Sequence, residues 1–282
     1  MLVISEKLFI VCTIYQDIMR FIDSMPKFSA NLSMMFTEVE FLRRFKMAAE
    51  AGVNAVEYQF ASDCTVDDIS GELDKYGLEL VLFNLPINGW DDGERGIACF
   101  PDRIQEFQQG VEQAVEDANT LGCKRLNCLS GVALDITDRR ILRDTFVENL
   151  KFTASKLQDS DISLLIEPIN TKDIPGFYLC NTLQARSVIE EVGYDKLNLQ
   201  YDIYHMQVME GDLARTIEDN LDIIGHIQIA DNPGRHEPGT GEINYPFLFN
   251  LLDKLNYKGW VGCEYKPIYG TKEGLYWIRE YL

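Results

Sequence analysis

Basic residues are scarce in this chain. Across 282 residues, 26 Lys+Arg stand against 45 Asp+Glu, a formal net charge of −19. That balance argues against a nucleic-acid or anionic-membrane binder, because polyanion binding needs clustered Lys/Arg to displace counterions. Paired cysteine spacing is also missing: the seven cysteines are scattered with no C-x-x-C, which reads as reduced thiols in a cytoplasmic compartment. No apolar run near the start approaches the roughly 18–20 residues of a spanning helix. The stretch from Leu8 through Thr13 to Tyr15 is far shorter, and Glu6 and Lys7 before it make a poor signal-peptide start. Nucleotide fingerprints are absent too, since no G-x-G-x-x-G follows the first strand-like run and no G-x-x-x-x-G-K-[ST] occurs.

What the chain does have is apolar content, at 46%, enough for a sizeable core. Strand-like runs fall at Phe28–Met35, Asn54–Phe60, Leu78–Leu85, Arg125–Ser130, Ile162–Asn170, Leu197–His205, His226–Asp231 and Trp260–Tyr265. Amphipathic segments separate them. Thr37 with Glu40, and Thr65 with Asp68, have capping-box spacing, while Gly52, Gly77, Gly122 and Gly193 stand where helices would stop. Eight strand-then-helix units without consecutive hairpins predict parallel strands with helical crossovers, closing into a single (β/α)₈ TIM barrel. The long loops Asn88–Pro101 and Asn232–Tyr245 have the character of substrate-covering loops.

In such a barrel the active site lies at the carboxyl ends of the strands. Glu167, Asp202, Gln228 and Glu264 end four consecutive strands at what reads as similar depth. Carboxylates brought together repel one another or hold protons unless a cation neutralises them. An all-oxygen set of two Glu, one Asp and one Gln favours a hard divalent ion, Mg²⁺ or Mn²⁺. Of the three histidines, His205 follows Asp202 at a strand end, where its ring could polarise a substrate oxygen. His226 reads as packing and His236 as a solvated loop residue.

Several segments resemble hydroxypyruvate isomerases of the xylose-isomerase-like group. They are Phe28-Ser29-Ala30-Asn31-Leu32-Ser33, Gly93-Glu94-Arg95-Gly96-Ile97-Ala98-Cys99, Ile166-Glu167-Pro168-Ile169-Asn170, Tyr201-Asp202-Ile203-Tyr204-His205-Met206-Gln207, Gly239-Thr240-Gly241-Glu242-Ile243-Asn244-Tyr245 and Gly262-Cys263-Glu264-Tyr265-Lys266-Pro267. The resemblance implies an isomerase that interconverts hydroxypyruvate and tartronate semialdehyde, with a place in glyoxylate metabolism. It carries metal-binding and acid/base roles to Glu167 and Glu264, with Glu264 taken as the base, and a ligand role to Asp202. Related ketose epimerases carry His where this chain has Gln228, which leaves the requirement for metal open. The small acidic substrate needs a cation for its carboxylate, and Arg95, Arg235 and Lys266 are the candidates, Arg95 first.

A 2-oxo-tetronate isomerase is the nearest rival, with the same chemistry on a longer acid, since Met34-Met35-Phe36-Thr37-Glu38-Val39 also occurs in that branch. A ketose 3-epimerase is weaker because of Gln228. An endonuclease IV-like protein would need more histidine ligands and a basic face. A homo-oligomer is compatible with everything above. Members of the resembled family begin with Met shortly before the first strand's Phe, as Met25-Pro26-Lys27-Phe28 does here. The expectation is therefore a barrel over residues 25–282, preceded by an extension, residues 1–24, that is poorly ordered or not native.

Overall fold

The computed structural model describes residues 26–61, 64–86, 93–133 and 138–281. The expectation for residues 1–24 with a start at Met25, and the Asn88 end of the first long loop, lie outside the described residues. Eight parallel strands close into one barrel in sequence order: β1 (Lys27–Asn31), β2 (Ala55–Tyr58), β3 (Glu79–Asn84), β4 (Arg125–Cys128), β5 (Ser163–Ile166), β6 (Leu197–Asp202), β7 (Ile224–Ile229) and β8 (Trp260–Cys263). Every strand-like run of the sequence overlaps one of them, with β1 starting one residue and β7 two residues before the expected run.

Helices cover the outside: α1 (Phe41–Glu50), α2 (Val66–Tyr76), α3 (Ile104–Leu121), α4 (Arg139–Leu157), α5 (Thr182–Val192), α6 (Ile203–Met209), α7 (Leu213–Asn220), α8 (Tyr245–Lys254) and α9 (Thr271–Gly274). Their boundaries follow local chemistry. Thr65 and Asp68 form the reciprocal capping box at α2, and Gly77, Gly122 and Gly193 end α2, α3 and α5 in the left-handed conformation. At α1 the structure differs from expectation, because Glu40 is the N-cap and no side chain caps the helix. Nearby, Glu38 accepts from the backbone N–H of Thr271 in α9 at 2.8 Å, which ties the loop after β1 to α9.

The interior of each strand is almost wholly buried, as a parallel sheet covered by helices requires. At the foot of the barrel Phe28, Phe249 and Trp277 pack as an aromatic cluster, with Phe28 edge-on to both partners. No helix of the described residues is long and apolar enough to cross a membrane.

Candidate active site

β5 runs directly into Glu167, β6 ends on Asp202 and β8 runs into Glu264, so three carboxylates reach the carboxyl-terminal mouth. Asp202 ends its strand by capping α6, its Oδ1 accepting from the backbone N–H of Tyr204 at 2.8 Å and of His205 at 3.3 Å. His205, expected at a strand end, therefore sits in the first turn of a helix. One atom from each of Glu167, Asp202, His205 and Glu264 lies within 4.8 Å of the others, and all four residues are buried.

Each member has its own anchors. Glu264 Oε1 accepts from Gln59 Nε2 at 2.8 Å and Asn31 Nδ2 at 3.2 Å, and its Oε2 accepts from Arg235 Nη2 at 2.7 Å. Glu167 Oε2 accepts from Asn127 Nδ2 at 2.8 Å, leaving Oε1 facing His205 Nε2 at 3.8 Å. Asp202 Oδ2 lies 3.5 Å from His205 Nε2 and has no hydrogen-bond partner among the described residues. A buried orphan oxygen among three carboxylates is what a cation-binding set presents, so the cluster could hold a metal ion.

Burial and mutual repulsion shape the protonation of the site. Burial pushes Glu167 well above the usual carboxylate range, and the charges of Glu264 and Asp202 push it further. Asp202 is pushed up to about 7 by burial and then by Glu264. Burial also raises Glu264, against the opposing pull of Arg235 and Gln59. His205 is held well below its ordinary value by burial and the Arg235 charge. For Arg235 burial alone would lower the value, but Glu264, Asp202 and Glu167 outweigh it and the guanidinium is raised.

Beneath this cluster lies a second polar layer that the sequence did not announce. Glu57, fully buried in the middle of β2, accepts from Ser29 Oγ at 2.8 Å, Asn31 Nδ2 at 3.2 Å and Gln228 Nε2 at 2.8 Å, and lies 2.9 Å from His226 Nε2. Asn31 thus bridges Glu57 to Glu264. Gln228 was expected level with Glu264, but the register pairs it with Gly262, two residues earlier. Its amide is engaged below the cluster, donating to Glu57 and accepting from Gln200 Nε2 at 2.6 Å. His226 is more than packing, being the partner of Glu57. His236 is half-buried, its Nδ1 2.6 Å from the Lys266 carbonyl. The signal for Glu57 was present as a lone carboxylate inside the apolar run Ala55-Val56-Glu57-Tyr58, but no local rule gave it a partner.

A cavity of about 610 Å³ opens above the carboxylates, lined among others by Gln59, Glu167, His205 and Glu264 and, on its cationic side, by Arg95, Arg235 and Lys266. All three predicted cations therefore face one space, in different situations. Arg235 is bonded to Glu264 and lies over the Tyr204 ring at 5.2 Å, with Nε buried and without a hydrogen-bond partner among the described residues. Lys266 is exposed at the rim, and Arg95 is half-buried with Nη1 donating to the Glu94 carbonyl at 2.6 Å. The Arg95 segment is pinned by an antiparallel bridge between Gly96 and Ser130. Gly96 has φ of 102°, and a Cβ there would collide with the Leu129 backbone, so only glycine fits. The loop carrying Arg235 is ordered by Asp231, whose carboxylate accepts from the backbone of Asn232, Gly239, Gly241 and Ile243.

Comparison with known proteins adds family context. Residues 45–281 match the family model described as xylose isomerase-like TIM barrel. The chain is 51% identical over 257 residues to the hydroxypyruvate isomerase of Escherichia coli K12, covering 91% of this chain and 100% of that protein. It is 43% identical over 258 residues to a 2-oxo-tetronate isomerase of Cupriavidus necator, covering 92% and 99%. Among solved structures, a protein described as an AP endonuclease, family 2, from Brucella melitensis superposes with a TM-score of 0.89 at 45% identity, covering 91% of this chain and 99% of that one.

Proposed function

This chain belongs to the xylose isomerase-like TIM barrel family, and we propose that within it the protein is an isomerase interconverting hydroxypyruvate and tartronate semialdehyde. Hydroxypyruvate carries acidic hydrogens on C3, beside its ketone. Glu264 removes one of them. Arg235, Gln59 and Asn31 favour its ionised form and fix its direction, while Glu167, whose carboxyl burial pushes up, is the acid that gives a proton to C2 as another passes from the C3 hydroxyl to the oxygen on C2. Two carboxyls, one held by a guanidinium and two amides and the other by a single amide, are suited to divided acid and base roles. That pairing, within one buried cluster, is the observation that most supports the proposal.

The substrate carboxylate is received by Arg95, Arg235 and Lys266, and His205 donates a hydrogen bond to the oxygen where enediolate charge develops. Mg²⁺ or Mn²⁺ would be held by Glu167, Asp202 and Glu264, and not by Gln228, whose amide is engaged below the cluster by Glu57 and Gln200. Such an ion supplies positive charge to the developing enediolate. The described cysteines are free thiols, which supports a cytoplasmic setting.

A second reading, isomerisation of a 2-oxo-tetronate, is supported by the 43% identity to the Cupriavidus necator enzyme of that name. Nucleic acid as substrate is disfavoured by the charge of −19. The test is to follow hydroxypyruvate loss and tartronate semialdehyde formation with and without EDTA, alongside 2-oxo-tetronate and a ketose. Efficient turnover of hydroxypyruvate is expected; turnover confined to 2-oxo-tetronate would replace the first reading with the second.

A further inference from the structure

His205 Nδ1 lies 2.7 Å from the side-chain nitrogen of Asn170, which stands just beyond β5. Which atom of that amide faces the ring decides where the ring proton sits, and the surroundings fix the amide. Asn170 Oδ1 accepts from the backbone N–H of Lys172 at 3.1 Å and of Asp173 at 2.8 Å. Its Nδ2 donates to Asp173 Oδ2 at 3.0 Å. Asp173 is itself held by the Tyr204 hydroxyl, which donates to the same oxygen at 2.8 Å. Turning the amide over would set NH₂ against two backbone N–H groups and a carbonyl oxygen against a carboxylate, losing three hydrogen bonds at once.

The NH₂ group therefore faces Nδ1, and an amide nitrogen cannot accept. Nδ1 must supply the lone pair. Its proton is carried on Nε2, the atom that points into the carboxylate cluster, 3.5 Å from Asp202 Oδ2 and 3.8 Å from Glu167 Oε1. An imidazolium would bring an Nδ1 proton against the Asn170 donor, so the same contact disfavours the charged ring.

We propose that Asn170 is a positioning residue that sets His205 as the neutral Nε2–H tautomer, making the ring a hydrogen-bond donor in the site and not a metal ligand or a proton acceptor. The tautomer follows from the geometry alone; its use on a substrate oxygen rests on the isomerase reading above. A neutral imidazole aimed at a developing oxyanion is an effective electrophile, because it strengthens its bond as charge builds without having to lose a charge first.

With only three histidines in the chain, the question can be read directly by nitrogen-15 NMR of the full-length protein labelled at histidine. The His205 ring is assigned by its loss in His205→Gln or, should that variant not fold, by elimination with His226→Gln and His236→Gln. The wild type is expected to show a lone-pair nitrogen at Nδ1 and a protonated Nε2 at neutral pH, unchanged on adding Mg²⁺. In Asn170→Asp an acceptor replaces the donor, so the proton should move to Nδ1, with kcat falling about 10²-fold and KM changing little, the scale of one lost oxyanion donor. A protonated Nδ1 in the wild type, or Mg²⁺ displacing the Nε2 proton, overturns the proposal. So does an unshifted ring in folded Asn170→Asp. The predicted ring state in a protein that turns over neither oxo acid would sink the isomerase reading and leave the tautomer standing.

Discussion

Glu264 accepts hydrogen bonds on both oxygens from three side chains drawn from β1, the loop after β2 and the loop after β7. Such convergence holds a carboxylate to one direction, which a base needs if the proton it removes is to be reached in line. Glu264→Gln keeps the shape and removes the basicity. We expect kcat to fall by at least about 10²-fold with the fold intact by circular dichroism; turnover near wild type would take Glu264 out of the mechanism. Arg95 also lines the cavity, its Nη1 donating to the Glu94 carbonyl. Arg95→Ala should raise KM for hydroxypyruvate several-fold while kcat and the melting temperature change little, and steady-state kinetics with unchanged KM would remove it from substrate binding.

Two strands meet in the interior at a point with no spare room. A Cβ on Gly262 of β8 would enter the space of both carboxylate oxygens of Glu57 on β2. Glycine there lets a buried charge on β2 lie against β8 across the intervening β1, where Ser29, Asn31, Gln228 and His226 surround it. Gly262→Ala must either push Glu57 away from these partners or bend β8, and Glu264 lies two residues further on. Overpacking of this kind costs about 1–3 kcal/mol, and unsatisfied partners add to it. The expected result is a clear loss of denaturant stability accompanied by a drop in kcat. A variant as stable and active as wild type would show that Glu57 is not held in place by this packing. The signal for Glu57 was one carboxylate in an apolar run; its partners lie on other strands, beyond the reach of periodicity.

At the scale of the molecule, the two polar layers oppose each other in pH. Burial alone would raise Glu57, but His226 and the hydrogen bonds from Gln228 and Ser29 outweigh it and hold it below the usual range. Its stabilisation is therefore present above an unfolded carboxylate pKa of about 4.3 and lost as pH falls through the lower folded value. Asp202 has the reverse sign. Its folded value of about 7 lies above an unfolded value of about 3.9, so its contribution is fully present below that lower value and is lost as pH rises through the folded one. Glu167 is displaced in the same direction. In EDTA the melting temperature should decline between about pH 5 and pH 8 as the cluster ionises against itself, and Mg²⁺ or Mn²⁺ should restore more at the upper end than at the lower. Calorimetry across that range, with and without metal, checks both signs. A metal-free protein that gains stability as pH rises would contradict the account of the cluster.

The order of eight strand and helix units, the capping of α2, the helix-ending glycines and the carboxylates at strand ends were all legible in the chain, because each depends on residues a few positions apart. Periodicity and capping are local physics, and a barrel is the compact way to close eight such units. Closure decided the rest. It brought Asn31 and Gln59 to Glu264, set Gln228 one layer lower against Glu57, turned His205 onto a helix under Asp202, and aimed the Asn170 amide at its ring. These contacts to Glu264, to Glu57 and to the His205 ring join residues from 35 to 233 positions apart, and no spacing rule encodes them. Composition shows an acidic protein; only the folded loops, ordered by Asp231 and by the Gly96 bridge, bring Arg235 and Arg95 to the wall of one cavity.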